Sequence, residues 1–182
     1  MKRVKQQKFL QQMVLACVFT ALTTVLTFFI KIPSHNGYIH LGDAIIYLAA
    51  CLLPAPLAMV CGALGGMLAD TFGGFIIYIL PTAIIKALLP LAFTCKSEKL
   101  ICKRNLLALL PASLITVIGY YTAEVILLSV ASGDLLGYII TSSPWIAAVY
   151  CIPGNVIQAV GSAVAFIFLA TALDKIKIKD KI

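Results

Sequence analysis

Six apolar runs, separated by short polar or proline- and glycine-marked breaks, divide the chain. The first covers residues 10–30 and is followed by Lys31 and Pro33. Next comes Pro33-Ser-His-Asn-Gly-Tyr-Ile-His-Leu-Gly-Asp43, a polar, glycine-punctuated stretch that cannot be helical throughout. The second run, 41–53, stops at Pro54-Ala-Pro56; as a helix it reaches about 20 Å at about 1.5 Å per residue, too short to cross a bilayer unaided. The loop before it must therefore dip into the membrane, which is tolerated only where its backbone is buried in protein or lines a cavity. The third run, 57–72, carries Ala58, Gly62, Gly66 and Asp70 at every fourth position, a small-residue stripe suited to close helix contact, and Gly73-Gly74 ends it. The fourth, 75–94, contains Pro81 and Pro90 and is expected to kink. The fifth and sixth, 106–131 and 146–173, are joined by a connection that starts at Ser132-Gly-Asp and reaches Pro144-Trp145. These runs predict an all-α polytopic membrane protein, a single domain of six transmembrane helices over residues 1–182, with no inverted repeat to suggest two matching halves.

Composition agrees and excludes a soluble enzyme. Apolar residues make up 62% of the chain and charged residues only 12%, too few to coat a surface facing water. The net charge of +7 matters through its placement. Of the 14 basic residues, all but Lys31 and Lys86 fall in three clusters: Lys2, Arg3, Lys5 and Lys8; Lys96, Lys99, Lys103 and Arg104; Lys175, Lys177, Lys179 and Lys181. Basic residues accumulate in short cytoplasmic segments, so both termini and the 95–105 loop are expected in the cytoplasm, and His35, His40 and Asp134 outside. Nucleic acid is not an expected partner. The six cysteines form no CxxC pair and read as small packing residues, and no cleavage site follows the first run, which is therefore a span and not a signal peptide.

Catalytic signatures are missing: there is no GxxxxGK[ST] loop, no GxSxG elbow and no HExxH pair. His35, His40 and Asp43 follow no familiar ligand spacing, so neither metal nor cofactor is expected. The informative residues are polar ones inside the spans. Tyr78, Thr82 and Lys86 share one face of the fourth helix, Thr116, Tyr120 and Glu124 one face of the fifth, and Asn155, Gln158 and Ser162 one face of the sixth. Ionisable groups in hydrocarbon are expensive, so Lys86 and Glu124 should face the interior; a direct ion pair between them is geometrically possible. Such a pair either glues helices or belongs to a ligand site. Tyr120 and Trp145 near the outer end could add an aromatic wall, or Trp145 could be an interfacial anchor. Glu124, Tyr120, Trp145, Asn155 and Gln158 are expected to line one outward-opening pocket, with Lys86 at its wall. On the first helix, Ala16-x-x-x-Thr20 and Cys17-x-x-x-Ala21 form adjacent small-residue stripes that either pack helices or dock a partner subunit.

The series Gly37-Tyr-Ile-His-Leu-Gly-Asp-Ala44, Leu48-Ala-Ala, Gly62-Ala-Leu-Gly-Gly-Met-Leu-Ala-Asp70, Pro81-Thr-Ala-Ile-Ile-Lys86 and Pro153-Gly-Asn-Val-Ile-Gln158 resembles the substrate-binding S components of energy-coupling factor (ECF) vitamin transporters, in the subgroup related to riboflavin and hydroxymethylpyrimidine S components. The resemblance implies a multi-pass protein of the bacterial cell membrane, not an enzyme. It would capture a small heteroaromatic vitamin or precursor, hydroxymethylpyrimidine-, pyridoxine- or riboflavin-like, near the outer surface. The first outer loop, here with His40 and Asp43, and the later helices with Tyr78, Lys86, Tyr120, Glu124, Trp145, Asn155 and Gln158 would hold it. The implied partners are a transmembrane coupling subunit, met by Ala16, Cys17, Thr20 and Ala21, and two ATPase subunits. A non-binding accessory subunit is the alternative reading of the residues, and an intramembrane enzyme a more distant one.

Overall fold

An open chain crosses hydrocarbon only by satisfying its backbone internally, and the apolar runs fold as that demands. The structure, a computed structural model, describes residues 2–34 and 37–181. In chain order it contains helix α1 (Lys2–Phe29), strands β1 (Lys31–Pro33) and β2 (Tyr38–His40), then helices α2 (Gly42–Leu52), α3 (Ala55–Gly73), α4 (Ile79–Leu88), α5 (Lys103–Ala131), α6 (Leu135–Ile139), α7 (Ser143–Ala148) and α8 (Ile152–Lys175). Among the described residues, four segments are long and apolar enough to cross a membrane: Gln6–Phe29, Ala55–Gly73, Lys103–Ala131 and Ser143–Lys175, the last joining α7 to α8 through a 3-10 turn. Gly42–Leu52 and Ile76–Ala92 are shorter apolar segments. The chain is a polytopic membrane protein, all-α apart from one small hairpin.

The boundaries differ from the sequence expectation where local chemistry allows. Helix α1 starts at Lys2 because Lys and Gln are good helix formers and nothing in that flank stops the helix. The last span begins at Ser143, with Pro144 in its first turn, where a missing N–H costs nothing. The fourth run, Ile76–Ala92, is a short continuous helical segment whose winding changes twice. Pro81 falls in the first turn of α4, and Pro90 lies in a 3-10 turn, Leu89–Ala92, so the run divides into a turn, a ten-residue helix and another turn. The polar loop after α1 is an antiparallel hairpin pairing Lys31 with His40, Ile32 with Ile39 and Pro33 with Tyr38. His35, expected on the outer face, lies outside the described residues.

The centre of the bundle is α2, in which every residue from Gly42 to Cys51 is buried. Tyr47 stacks on Phe93 at 5.0 Å and meets Phe166 edge-on at 5.9 Å. Helix α3 lies between α1 and α4, and its glycines explain how closely. A Cβ on Gly62 would sit 2.5 Å from the Lys86 carbonyl oxygen, and one on Gly65 would sit 2.7 Å from the Thr23 side chain. Large apolar side chains such as Phe29, Leu136, Ile140 and Phe168 point outward, the arrangement of a protein solvated by lipid.

The two small-residue stripes of α1 part company. Ala16 is buried, and its carbonyl accepts a hydrogen bond from Cys61 Sγ at 3.2 Å; Thr20 lies against Gly65. Both therefore pack against α3. Cys17 and Ala21 are exposed on the outer face of the helix. At one end of the bundle the basic segments meet: Lys8, Leu52, Cys95 and Lys179 share a hollow, and Lys179 Nζ donates to the carbonyls of Cys95 and Ser97. Asp174 accepts from the backbone N–H groups of Leu100 and Ile101 at 2.8 and 2.9 Å, tying the end of α8 to that loop.

Candidate functional site

At the opposite end a cavity opens beneath the hairpin. Thr27 of α1, Tyr38 and His40 of the hairpin, Asp70 of α3, Tyr78 and Thr82 at α4, Tyr120 and Glu124 of α5, and Asn155 and Gln158 of α8 contribute to its lining. Its volume is about 70 Å³. The hairpin seats against the start of α8 because Gly154 is bare: a Cβ there would meet Ser34 Oγ at 2.6 Å.

Below the cavity lies a buried ion pair. Lys86 Nζ is 2.6 Å from Asp43 Oδ1, with the two residues 1% and 0% exposed. Asp43 Oδ2 accepts a hydrogen bond from Gln158 Nε2 at 3.1 Å, and the ammonium lies 5.1 Å from the centre of the Tyr120 ring. The ammonium can reach Asp43 because α4 passes α3 at Gly62 and Gly66, where no side chain holds the helices apart. Lys86 is thus paired with Asp43, whereas depth along the helices alone also allows Glu124. A charge buried this deeply persists only when matched by an opposite charge and hydrogen bonds.

Two further carboxylates face the cavity, each held by a tyrosine. Tyr38 donates to Asp70 Oδ1 at 2.7 Å, and Tyr78 donates to Glu124 Oε2 at 2.6 Å. Asp70 and Glu124 are each 4% exposed. Tyr120 and Thr82 share a hydroxyl–hydroxyl bond of 3.2 Å. In the hairpin, His40 Nδ1 accepts from the Gly42 N–H at 3.1 Å, so the ring is neutral with its proton on Nε2. Burial and the nearby Lys86 ammonium push this imidazole down to about 3. Burial and the Asp70 carboxylate raise the Tyr38 phenol above its ordinary value, keeping its O–H a donor.

Of the residues expected at the site, His40, Tyr78, Tyr120, Glu124, Asn155 and Gln158 line the cavity, while Asp43 and Lys86 form the ion pair beneath it. A model of the ECF-type riboflavin transporter S component family matches residues 8–175. The chain belongs to that family. It is a multi-pass substrate-binding subunit of the cell membrane and not an enzyme. No curated protein matches the chain.

Trp145 stands apart from the cavity of this S component. It sits on α7, 42% exposed; its Nε1 donates to the Ile139 carbonyl at 2.9 Å, and its own carbonyl accepts from Tyr121 OH at 3.0 Å. Its ring packs on Tyr121, so it braces the connection between α5 and α8 at the rim of the bundle. Replacing Trp145 by Ala is expected to leave ligand affinity within about twofold, since a stacking loss of roughly 1 kcal/mol reaches affinity only through a ring that touches the ligand. Titration calorimetry checks this, and a tenfold loss would place the indole on the ligand. Sequence reasoning missed Asp70, Tyr38 and Phe75 as cavity residues. In the sequence Asp70 falls on a stripe of small packing residues, although an ionisable residue inside a span is itself the signal.

Proposed function

We propose that this S component captures a small, single-ring heteroaromatic vitamin or vitamin precursor in the cavity beneath the hairpin. It does so as part of an uptake transporter with a transmembrane coupling subunit and two ATPase subunits. The observation that carries the reading is the convergence of three polar helix faces and the hairpin on one aromatic-walled cavity, the usual form of a small-molecule site. Size supports a single ring. A dry cavity of roughly 150 Å³ holds one benzene, so at about 70 Å³ even one ring asks the hairpin and tyrosines to give a little. Three fused rings would require the hairpin to lift away; a riboflavin-like ligand is the second reading, favoured by the family's description.

In this reading six segments embed in the membrane, and the end where the amino terminus, the 95–105 loop and the carboxyl terminus gather is cytoplasmic, as their basic residues favour. The cavity then opens outward. Energy must come from partners, because the chain carries no phosphate-binding loop. The docking face is assigned to Cys17 and Ala21, small and exposed on α1, whereas Ala16 and Thr20 are occupied by α3.

Two measurements test this. Native mass spectrometry of gently purified protein is expected to show a bound single-ring heterocycle; a flavin would overturn the single-ring assignment, and no small molecule under any growth condition would overturn the capture role. In cells expressing the full transporter, Ala21→Trp is expected to reduce uptake at least about tenfold while leaving ligand affinity intact, because bulk on a small-residue face keeps helices apart. Equal loss of binding and uptake would move the docking face elsewhere.

A further inference from the structure

We propose that Asp70 is the specificity-determining residue of the cavity: its free carboxylate oxygen receives a cationic N–H donor of the ligand, so that the site prefers an amine-bearing heterocycle and rejects its phosphate ester. This rests on the reading of the cavity as the solute site. The first support is an orphan. Asp70 is 4% exposed and lines the cavity; Oδ1 is held by Tyr38, but Oδ2 is buried without a hydrogen-bond partner. The Thr82 hydroxyl lies beside Asp70 and also meets Tyr120 at 3.2 Å, so its single proton can serve only one of these two neighbours. A buried carboxylate oxygen left unmatched is costly, and a ligand that supplies a donor there removes the cost.

The second support is the donor inventory of the walls. A phenol has one proton to give. Tyr38 has given its proton to Asp70 and Tyr78 has given its proton to Glu124. One proton of the Tyr120–Thr82 pair lies between them, and the Gln158 amide donates to Asp43. What these groups still offer is mainly lone pairs. The lining also holds the His40 Nε2–H, the Asn155 amide and the Ser34 and Thr27 hydroxyls, neutral groups that can orient a ring oxygen or nitrogen but carry no positive charge to balance a phosphate.

Charge points the same way. Among the described residues the lining includes two carboxylates, Asp70 and Glu124, and no lysine or arginine. The Lys86 ammonium is bound to Asp43 below, and Lys31 lies at the rim against the rings of Phe28 and Tyr38, 4.6 and 5.3 Å from their centres. Two buried carboxylates act strongly on any further charge beside them: a cation is drawn in, and a phosphate's two negative charges are repelled.

The test uses full-length protein in lipid nanodiscs and three probes sharing one ring: pyridoxamine, pyridoxine and pyridoxamine 5′-phosphate. Pyridoxamine is expected to bind at least about tenfold more tightly than pyridoxine, and its phosphate at least about tenfold more weakly than pyridoxamine. Asp70→Asn keeps the side chain's size and its acceptor for Tyr38; it is expected to reduce the amine preference to less than about threefold. Tyr38→Phe leaves the Asp70 charge in place and is expected to retain the preference, which separates loss of charge from damage to the hairpin. Binding of all three probes without preference, or an amine preference that survives in Asp70→Asn, overturns this inference and leaves the cavity's role standing. If none of the three binds, this inference falls, and the single-ring reading of the cavity is decided separately by the ligand found in the native mass spectrum.

Discussion

Lys86→Met will destabilise the protein by about 3–5 kcal/mol, the usual cost of stranding one member of a buried ion pair. Methionine matches the unbranched lysine chain, so packing against Gly66 and Thr82 changes little and the loss reports the charge. What remains is the Asp43 carboxylate, 0% exposed, with Gln158 as its remaining hydrogen-bond donor among the interactions described above. The double variant Lys86→Met with Asp43→Asn removes both charges and is expected to recover at least half of the loss, because a neutral amide needs no counter-ion. Denaturant unfolding in a single detergent measures both. A single variant as stable as the parent would mean that water reaches Asp43, contrary to its burial.

Glu124→Gln will weaken ligand binding about ten- to a hundredfold, corresponding to roughly 1.5–3 kcal/mol for a hydrogen bond to a charged group. Glutamine keeps the shape of the side chain, and its amide oxygen can still accept the Tyr78 proton, so the wall of the cavity stays in place. One of the two carboxylates at the cavity is what disappears, and Asp70 remains. Calorimetric titration of the ligand retained on purification decides the outcome. Unchanged affinity, with the thermal transition preserved, would make the Tyr78–Glu124 bond a clamp between α4 and α5 and nothing more.

The parts of this structure legible in the sequence are those set by local pattern. The four long helices follow from uninterrupted apolar runs, and α2 could be recognised as too short to cross because Pro54 and Pro56 stop it. The convergence of Tyr120, Glu124, Asn155 and Gln158 follows from helical spacing, which puts each helix's polar residues on one side. Choices between neighbours were not legible. Depth along the helices allowed Lys86 to meet Glu124, but the crossing at Gly62 and Gly66 brings Asp43 nearer. Likewise both stripes of α1 look alike in sequence, and only the position of α3 turns Ala16 and Thr20 inward and leaves Cys17 and Ala21 outside. Trp145 was expected in the pocket because it precedes the last span; the separate short helix α7 and the turn after it direct its ring toward Tyr121.

The burial of α2 also bears on bilayer thickness. Long helices in contact with lipid answer a thicker or thinner membrane by tilting or by deforming the lipid around them, at a modest cost per ångström. Helix α2, at 11 residues, would suffer the greatest mismatch of all if it met lipid, yet it is sheathed by protein from Gly42 to Cys51. It carries Asp43 and, through the pair with Lys86, anchors the floor of the cavity. Hydrophobic mismatch is therefore absorbed by the outer helices, and the floor of the cavity keeps its geometry whether the surrounding acyl chains are short or long.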